Sequence, residues 1–244
     1  MRIHAFHRLL QYRQSIATKP FKARGAKVNR CTYCQVAKQY CICEHQPSIE
    51  SKFAALIILS ENEVCKPSNT GRLILDVITD GHAFQWNRTE PQSELIDLIN
   101  HAEYQPIIVF PEEYVDDKQR LVSSSKTSAF NNKKPLFIFL DGSWREARKM
   151  FRKSDYLSDL PVLSIKPDAL SNYIMRKSDN DAHLATVEVA SLVFGQYGEP
   201  GTEKLLSSWF EVFKETYMMS KTRYSSDPTR PVLTSFLNRD KSLD

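Results

Sequence analysis

Two short stretches hold the residue types that could do chemistry. The first is Asp141-Gly142-Ser143-Trp144, where a carboxylate ends an apolar run and a tight turn through Gly142 leads into a helix. A carboxylate in that place can act as a base, orient a substrate or hold a cofactor group. The second is Cys31-x2-Cys34-x6-Cys41-x-Cys43. Two close pairs of thiolates on a short loop can surround one tetrahedral zinc ion, and four sulfurs leave no open position, so the ion would be structural. His45 could replace one sulfur. Disulfides or a Cys-x-x-Cys redox pair are the alternatives. The first rarely persist in a reducing compartment, and the second lacks the preceding strand its usual fold supplies. Cys65 stands apart and reads as a plain buried or half-buried thiol.

The elements that must position these groups follow from apolar patterning. Residues 136–140, entered from Pro135, read as a buried strand, and Ser143 reads as the cap of a helix whose apolar stripe is Trp144, Ala147, Met150 and Phe151. In an open α/β sheet, ligands bind where strands end and helices begin. Beside that stripe, Arg145, Arg148, Lys149 and Arg152 share a basic face suited to a phosphate backbone. The continuous apolar run 53–59 suits a strand covered on both faces, hence a parallel sheet. A helix is expected over 68–78 with Asn69 or Thr70 as N-cap, then a strand over 82–86, a helix over 92–103 and a strand over 107–110. Pro111, Glu112 and Glu113 follow that strand in a loop. A short strand over 162–165, a loop or broken helix over 167–176 holding Tyr173 and Arg176, a helix from its cap Thr186 to Phe194 and a packed helix over 202–219 complete an α/β alternation.

Composition bounds the rest. The chain of 244 residues is 41% hydrophobic, enough for a real core, and no stretch approaches the roughly 20 apolar residues of a membrane span. No secretory signal pattern opens it, so an intracellular, cytoplasmic protein is expected. The net charge is +4, but residues 1–43 hold nine basic residues and the first acid is Glu44. Such a segment suits contact with a polyanion, most simply nucleic acid through Arg24, Lys27 and Arg30; a solvated tail or a transit peptide would share its composition. Residues 118–134 form a polar, basic stretch with no acid, read as a long loop. The expected organisation is a basic arm over 1–29, a four-cysteine knuckle over 30–50, an α/β domain over 51–220 and a less ordered tail over 221–244.

No general nucleotide or hydrolase motif fits, since Gly-x-Gly-x-x-Gly, the P-loop and Gly-x-Ser-x-Gly are all absent. The sequence does resemble a family. Asp141-Gly142-Ser143-Trp144, followed by Ala147-Arg148-Lys149-Met150, is similar to the Asp-x-Thr/Ser-Trp signature of DTW-domain proteins. The similarity extends in order to the four-cysteine knuckle, to Asn69-Thr70-Gly71-Arg72-Leu73, to Phe110-Pro111, to Tyr173 through Arg176 and to Leu184 through Ala190. Ser143 stands where the family has Thr more often, and Ala185 and Val187 where Ser and Leu are usual.

The resemblance, closest to the bacterial members, implies a tRNA-uridine aminocarboxypropyltransferase. Such an enzyme moves the 3-amino-3-carboxypropyl group of S-adenosylmethionine to N3 of a tRNA uridine, in the variable loop in those members, and releases methylthioadenosine. It also implies a knotted, SPOUT-like, mostly parallel sheet with helices on both faces, plus the small zinc knuckle. Asp141 is then the catalytic residue, as base or as a group holding cofactor or uridine. Loops at Phe110, Leu140 and Leu184 would hold the cofactor, lined by Pro111, Ser143, Trp144 and Thr186, with Thr70 and Arg72 as wall residues. Transferred RNA would meet Arg24, Lys27, Arg30, Arg145, Arg148, Lys149, Arg152 and Arg176. Zinc on Cys31, Cys34, Cys41 and Cys43 would serve folding. No membrane and no obligate protein partner are expected, and a monomer is favoured. Methyl transfer to RNA on the same scaffold and non-catalytic RNA binding are the competing readings.

Overall fold

The structure, a computed structural model, describes residues 1–18, 25, 27–122, 133–165, 184–221 and 226–239. Six strands form one all-parallel sheet: β1 Ala54–Leu59, β2 Gly81–Gln85, β3 Tyr104–Val109, β4 Leu121–Val122, β5 Lys134–Asp141 and β6 Val162–Leu163. Their spatial order is β2-β1-β5-β3-β6-β4. Between and around them lie helices α1 Ala5–Ser15, α2 Glu61–Val64, α3 Gly71–Val77, α4 Ser93–Ile99, α5 Trp144–Lys153, α6 Thr186–Gln196, α7 Pro200–Met218 and α8 Pro231–Asn238.

The period-two alternation of strand side chains sorts the core into two layers. Ala55, Ile57 and Leu59 of β1 and Phe137 and Phe139 of β5 pack with apolar residues of α1, α3, α6 and α7. Ala54, Leu56 and Ile58, with Leu136, Ile138 and Leu140, pack against Leu95 and Ile99 of α4 and Ala147, Met150 and Phe151 of α5. Both faces of the sheet are therefore covered, which is why β1 reads as an unbroken apolar run.

α3 occupies the middle of the first layer. All seven of its residues are buried, the charged Arg72 and Asp76 included. Burying charges requires partners, and each has them. Arg72 Nη2 donates to the Cys34 carbonyl at 2.6 Å and its guanidinium lies 4.8 Å from the Phe213 ring centre. Asp76 accepts from His4 Nε2 (2.9 Å), Trp209 Nε1 (2.9 Å) and Gln46 Nε2 (3.1 Å). At the helix C-terminus, Arg2 Nη2 donates to the carbonyls of Leu75, Asp76 and Ile78, closing acceptors that a helix end leaves open.

Several expectations are revised. The first residues of the supposed basic arm form α1, with Phe6, Leu9 and Leu10 buried at helical spacing. Arg2 is held by α3 and Arg13 pairs with Glu61, so charge counting hid an amphipathic element. Leu121–Val122 of the expected polar loop adds the edge strand β4, while 123–132 lie outside the described residues. The tail contains α8, whose Leu233 is buried and whose Phe236 ring lies 5.5 Å from that of Trp209. Thr186 is the first residue of α6, not its cap, which is Ala185.

Candidate functional site

Parallel register brings the C-terminal ends of β1, β5 and β3 side by side. Leu59 pairs with Asp141, and Ile108 pairs with Ile138, so Phe110 follows beside Leu140. Asp141 is fully buried at this edge. Its Oδ2 accepts from Asn69 Nδ2 at 2.5 Å and its Oδ1 from the Thr186 hydroxyl at 2.6 Å. The Asp141 carbonyl also accepts from Ser60 N at 2.9 Å, tying the β1 exit to the β5 exit.

Asn69 serves two neighbours at once. Its Oδ1 accepts from Arg72 N at 3.0 Å, capping the start of α3, while its amide nitrogen holds Asp141. Gly71 lets the helix start come that close, since a Cβ there would stand 2.6 Å from Asp141 Oδ2. Asp141 thus sits where α3 and α6 begin, and helix N-termini favour a negative charge. Two side-chain donors satisfy both carboxylate oxygens in a water-excluded place. Next to it, Thr70 Oγ1 is buried without a hydrogen-bond partner among the described residues. An orphaned buried hydroxyl costs about 1–3 kcal/mol unless a ligand completes it.

Gly142 contributes room rather than an unusual backbone angle. A Cβ there would meet Glu146 Cβ and Ser60 Oγ, both at 3.1 Å. Ser143 caps α5 as its position predicts: its Oγ accepts from Glu146 N (3.3 Å), and Glu146 Oε2 accepts from Ser143 N (2.8 Å). These bonds outweigh the upward push of burial and lower the Glu146 carboxyl. The other wall is aromatic. Phe110 stacks on Phe151 (4.3 Å between ring centres) and Trp144 (5.6 Å), with the Tyr114 ring edge-on.

The basic face of α5 is exposed beside that wall. Arg145, Arg148, Lys149 and Arg152 all face solvent, with Arg148 over Tyr114 and Lys149 over Trp86. Lys27 is exposed too, whereas Arg30 is held by the Gln35 carbonyl and the Tyr217 ring. Arg24, Tyr173 and Arg176 lie outside the described residues.

The structure therefore gathers Asp141, Thr70 and Thr186 on one side and Phe110, Leu140 and Trp144 on the other, with Pro111 and half-buried Leu184 in the adjoining loops. The Arg72 side chain instead reaches the knuckle. Sequence reading did not place Asn69 or Gly71 in the site. The signal was there in the Asn-Thr-Gly run before an apolar helix, but a cap alone explains the same letters.

In the knuckle the sulfurs of Cys31 and Cys43 are 3.6 Å apart, those of Cys34 and Cys41 3.7 Å and those of Cys31 and Cys41 3.5 Å. Four ligands about 2.3 Å from a tetrahedral zinc ion stand about 3.8 Å from one another. All are free thiols. Packed together they cannot all ionise without a cation: the hydrogen bond from Cys43 pulls the Cys34 thiol down to about 5, and the same contact pushes Cys43 far up. The donor set fits zinc held by Cys31, Cys34, Cys41 and Cys43. His45 pairs with Glu44 instead. Gln35, at φ 58°, turns the loop and donates to the Cys31 and Thr32 carbonyls.

The DTW domain family model matches residues 28–218. The chain belongs to the DTW-domain family. That is the family of tRNA-uridine aminocarboxypropyltransferases, and membership assigns a tRNA-modifying function. No solved structure matches this DTW protein. Among its described residues, no helix is long and apolar enough to cross a membrane.

Proposed function

We propose that this DTW protein transfers the 3-amino-3-carboxypropyl group of S-adenosylmethionine to N3 of a tRNA uridine. The observation that carries the reading is the buried Asp141 carboxylate, held by Asn69 and Thr186 at the C-terminal sheet edge beside the orphaned Thr70 hydroxyl. S-adenosylmethionine supplies an electrophilic carbon on a sulfonium. Its C–S bond breaks as the bond to N3 forms, methylthioadenosine leaves, and the N3 proton passes to solvent or to a base.

The chain's own groups fit that task. Thr70 offers a buried hydroxyl, Trp144 and Phe110 an apolar wall, and the loops at Leu140 and Leu184 backbone groups for an adenosine. The Asp141 oxygens already accept from Asn69 and Thr186, so its main role is to fix the loops and to hold a cationic or N–H group of the reactants. The exposed α5 cations would receive phosphates nearby. The SPOUT-like knotted topology belongs to this proposal. The return of β5 to a place between β1 and β3, after the chain has reached edge strand β4, supports it. The zinc ion, the cytoplasmic location and a monomeric state with tRNA as partner are part of the same reading.

The test uses unmodified tRNA and S-adenosylmethionine labelled either in the carboxyl carbon or in the methyl group. Carboxyl label in tRNA with methylthioadenosine as by-product is the expected result. Methyl label in tRNA would point to a methyltransferase, and tRNA binding with neither label to a non-catalytic binder. Asp141→Asn presents an amide where donors already point. It should keep the fold and zinc but lower transfer at least about a hundredfold, about 2.7 kcal/mol. Near-normal turnover would remove Asp141 from the mechanism.

A further inference from the structure

A second concave site lies away from the Asp141 edge, between the knuckle and the C-terminal end of α7. Its volume is about 480 Å³, within the range of small-ligand pockets, and its lining includes Val28, Asn29, Lys38, Gln39, Tyr40 and Met219. We propose that this groove takes an unpaired nucleobase of the RNA substrate, stacked on Tyr40 and read along its edge by the Asn29 and Gln39 amides. The proposal rests on the reading of the chain as a tRNA-modifying enzyme and adds how the substrate is gripped.

Four observations carry it. The floor is rigid: Lys38 N donates to the Asn29 carbonyl at 2.8 Å and Cys31 N to the Val36 carbonyl at 2.9 Å, a short hairpin tied by the cysteines. The side chains of Asn29, Lys38 and Gln39 are exposed and make no hydrogen bond or ion pair among the described residues. Amides left open in a concavity suit base edges, which present donors and acceptors together. Among the described residues, no acid lines the groove.

The rim supplies the fourth. Arg30 follows Asn29 in the chain and Lys221 follows Ser220, and both lie over the Tyr217 ring, at 5.3 and 4.9 Å from its centre, with no carboxylate partner among the described residues. A cation without a carboxylate is open to a phosphate oxygen. Lys27 and Lys38, flanking the groove in the chain, extend the positive rim. An aromatic ring, open amides and cations together are the elements that hold single-stranded nucleic acid. A paired helix would not offer its bases to so narrow a site.

The test measures the Kd of the zinc-loaded full chain for an unmodified tRNA transcript at fixed salt, with zinc content determined for each variant. Tyr40→Ala should weaken binding about tenfold, as loss of one stacked base does, while Tyr40→Phe keeps it within about twofold. The double variant Asn29→Ala/Gln39→Ala, which removes no internal bond, should weaken binding as well. In tRNA carrying 4-thiouridine, photocrosslinks should map to residues 38–40. Unchanged affinity in the double variant, or in Tyr40→Ala with zinc retained, would overturn the proposal. If Tyr40→Ala loses zinc, the double variant decides. The two readings fail separately. Weakened tRNA binding without any transferred label sinks the transferase and spares the groove, and label transfer with unaltered Kd in the groove variants does the reverse.

Discussion

In the knuckle, four sulfurs come together from thirteen consecutive residues, whereas the Asp141 carboxylate meets one side chain 72 residues upstream and another 45 residues downstream. The first cluster is local, and its crowded thiols could hold a zinc ion. The second is assembled by the sheet and is satisfied by hydrogen bonds at two helix starts. One element joins them. α3 presents Gly71 to Asp141, Arg72 to the Cys34 carbonyl and Asp76 to His4 and Trp209. The difference teaches that a cluster built from neighbours in the chain can be tied to one assembled across the sheet, through a helix whose every residue is buried.

Removing the metal should produce the largest effect. The purified protein is expected to hold about one zinc per chain, and chelation to lower Tm by at least about 10 °C, because a structural zinc ion contributes several kcal/mol and each is about 2–4 °C in a chain of this size. Transfer should fall with it, through the Arg72 tie. A chain that holds about zero zinc as purified, or whose Tm ignores chelation, would break the comparison at its local end.

Acid should act next, at the far end of α3. Burial, then the neighbouring His4, lowers the His7 imidazole to about 4, from an ordinary 6.5. His7 is therefore neutral in the fold while the unfolded chain takes up a proton below about 6.5, so stability is full above that pH and falls between about 6.5 and 4. At 1.36 kcal/mol for each pH unit between the two values the loss reaches about 3 kcal/mol. Burial pushes Asp76 up, but its bonds from His4 and Trp209 win and hold it at about 2, so its own loss starts only below the ordinary 3.8. Denaturant midpoints between pH 7.5 and 4.5 measure the slope. His7→Phe should flatten it, and an unchanged slope in that variant would assign the acid loss to another group.

Gly71→Ala tests the assembled end alone. The new methyl would stand 2.6 Å from Asp141 Oδ2 and 3.3 Å from Ile57 Cγ2, and neither neighbour is a flexible tip. Overpacking of this kind costs about 1–3 kcal/mol, and the displaced carboxylate should lower transfer more than tenfold. Zinc content should be unaltered. Loss of zinc in this variant would mean that the two regions are less separable than their construction suggests.

This contrast also explains what the letters disclosed. The cysteine spacing was legible because its contacts are local, and β1, β5 and α5 were legible because period and capping are local too. Ser143 and Glu146 spell out their own cap three residues apart. Asp141 could be picked out by its place after a buried strand, but its partners could not, since Asn69 and Thr186 reach it only once parallel register fixes the strand ends. Arg72 stands in the run that borders the site, and its guanidinium reaches back to the Cys34 carbonyl of the knuckle. The letters cannot show which way a buried guanidinium points. Charge composition likewise masks α1, whose apolar stripe is only Phe6, Leu9 and Leu10 among basic neighbours.

The smallest effect separates a cap from a ligand at Ser143, where both readings use the same hydroxyl. Ser143→Ala removes the acceptor of Glu146 N and should lower stability by about 1 kcal/mol, read as a denaturant midpoint with unaltered slope. Ser143→Asn supplies a neutral cap of equal quality whose amide can still donate to Glu146 Oε2, so stability should return. The affinity for S-adenosylmethionine then decides the role. If it falls in the Ala variant and returns in the Asn variant, Ser143 acts by setting the start of α5 and thereby the Trp144 wall. If it falls in both, the hydroxyl itself touches the cofactor, and the assembled site extends one residue beyond Asp141 along the β5 exit.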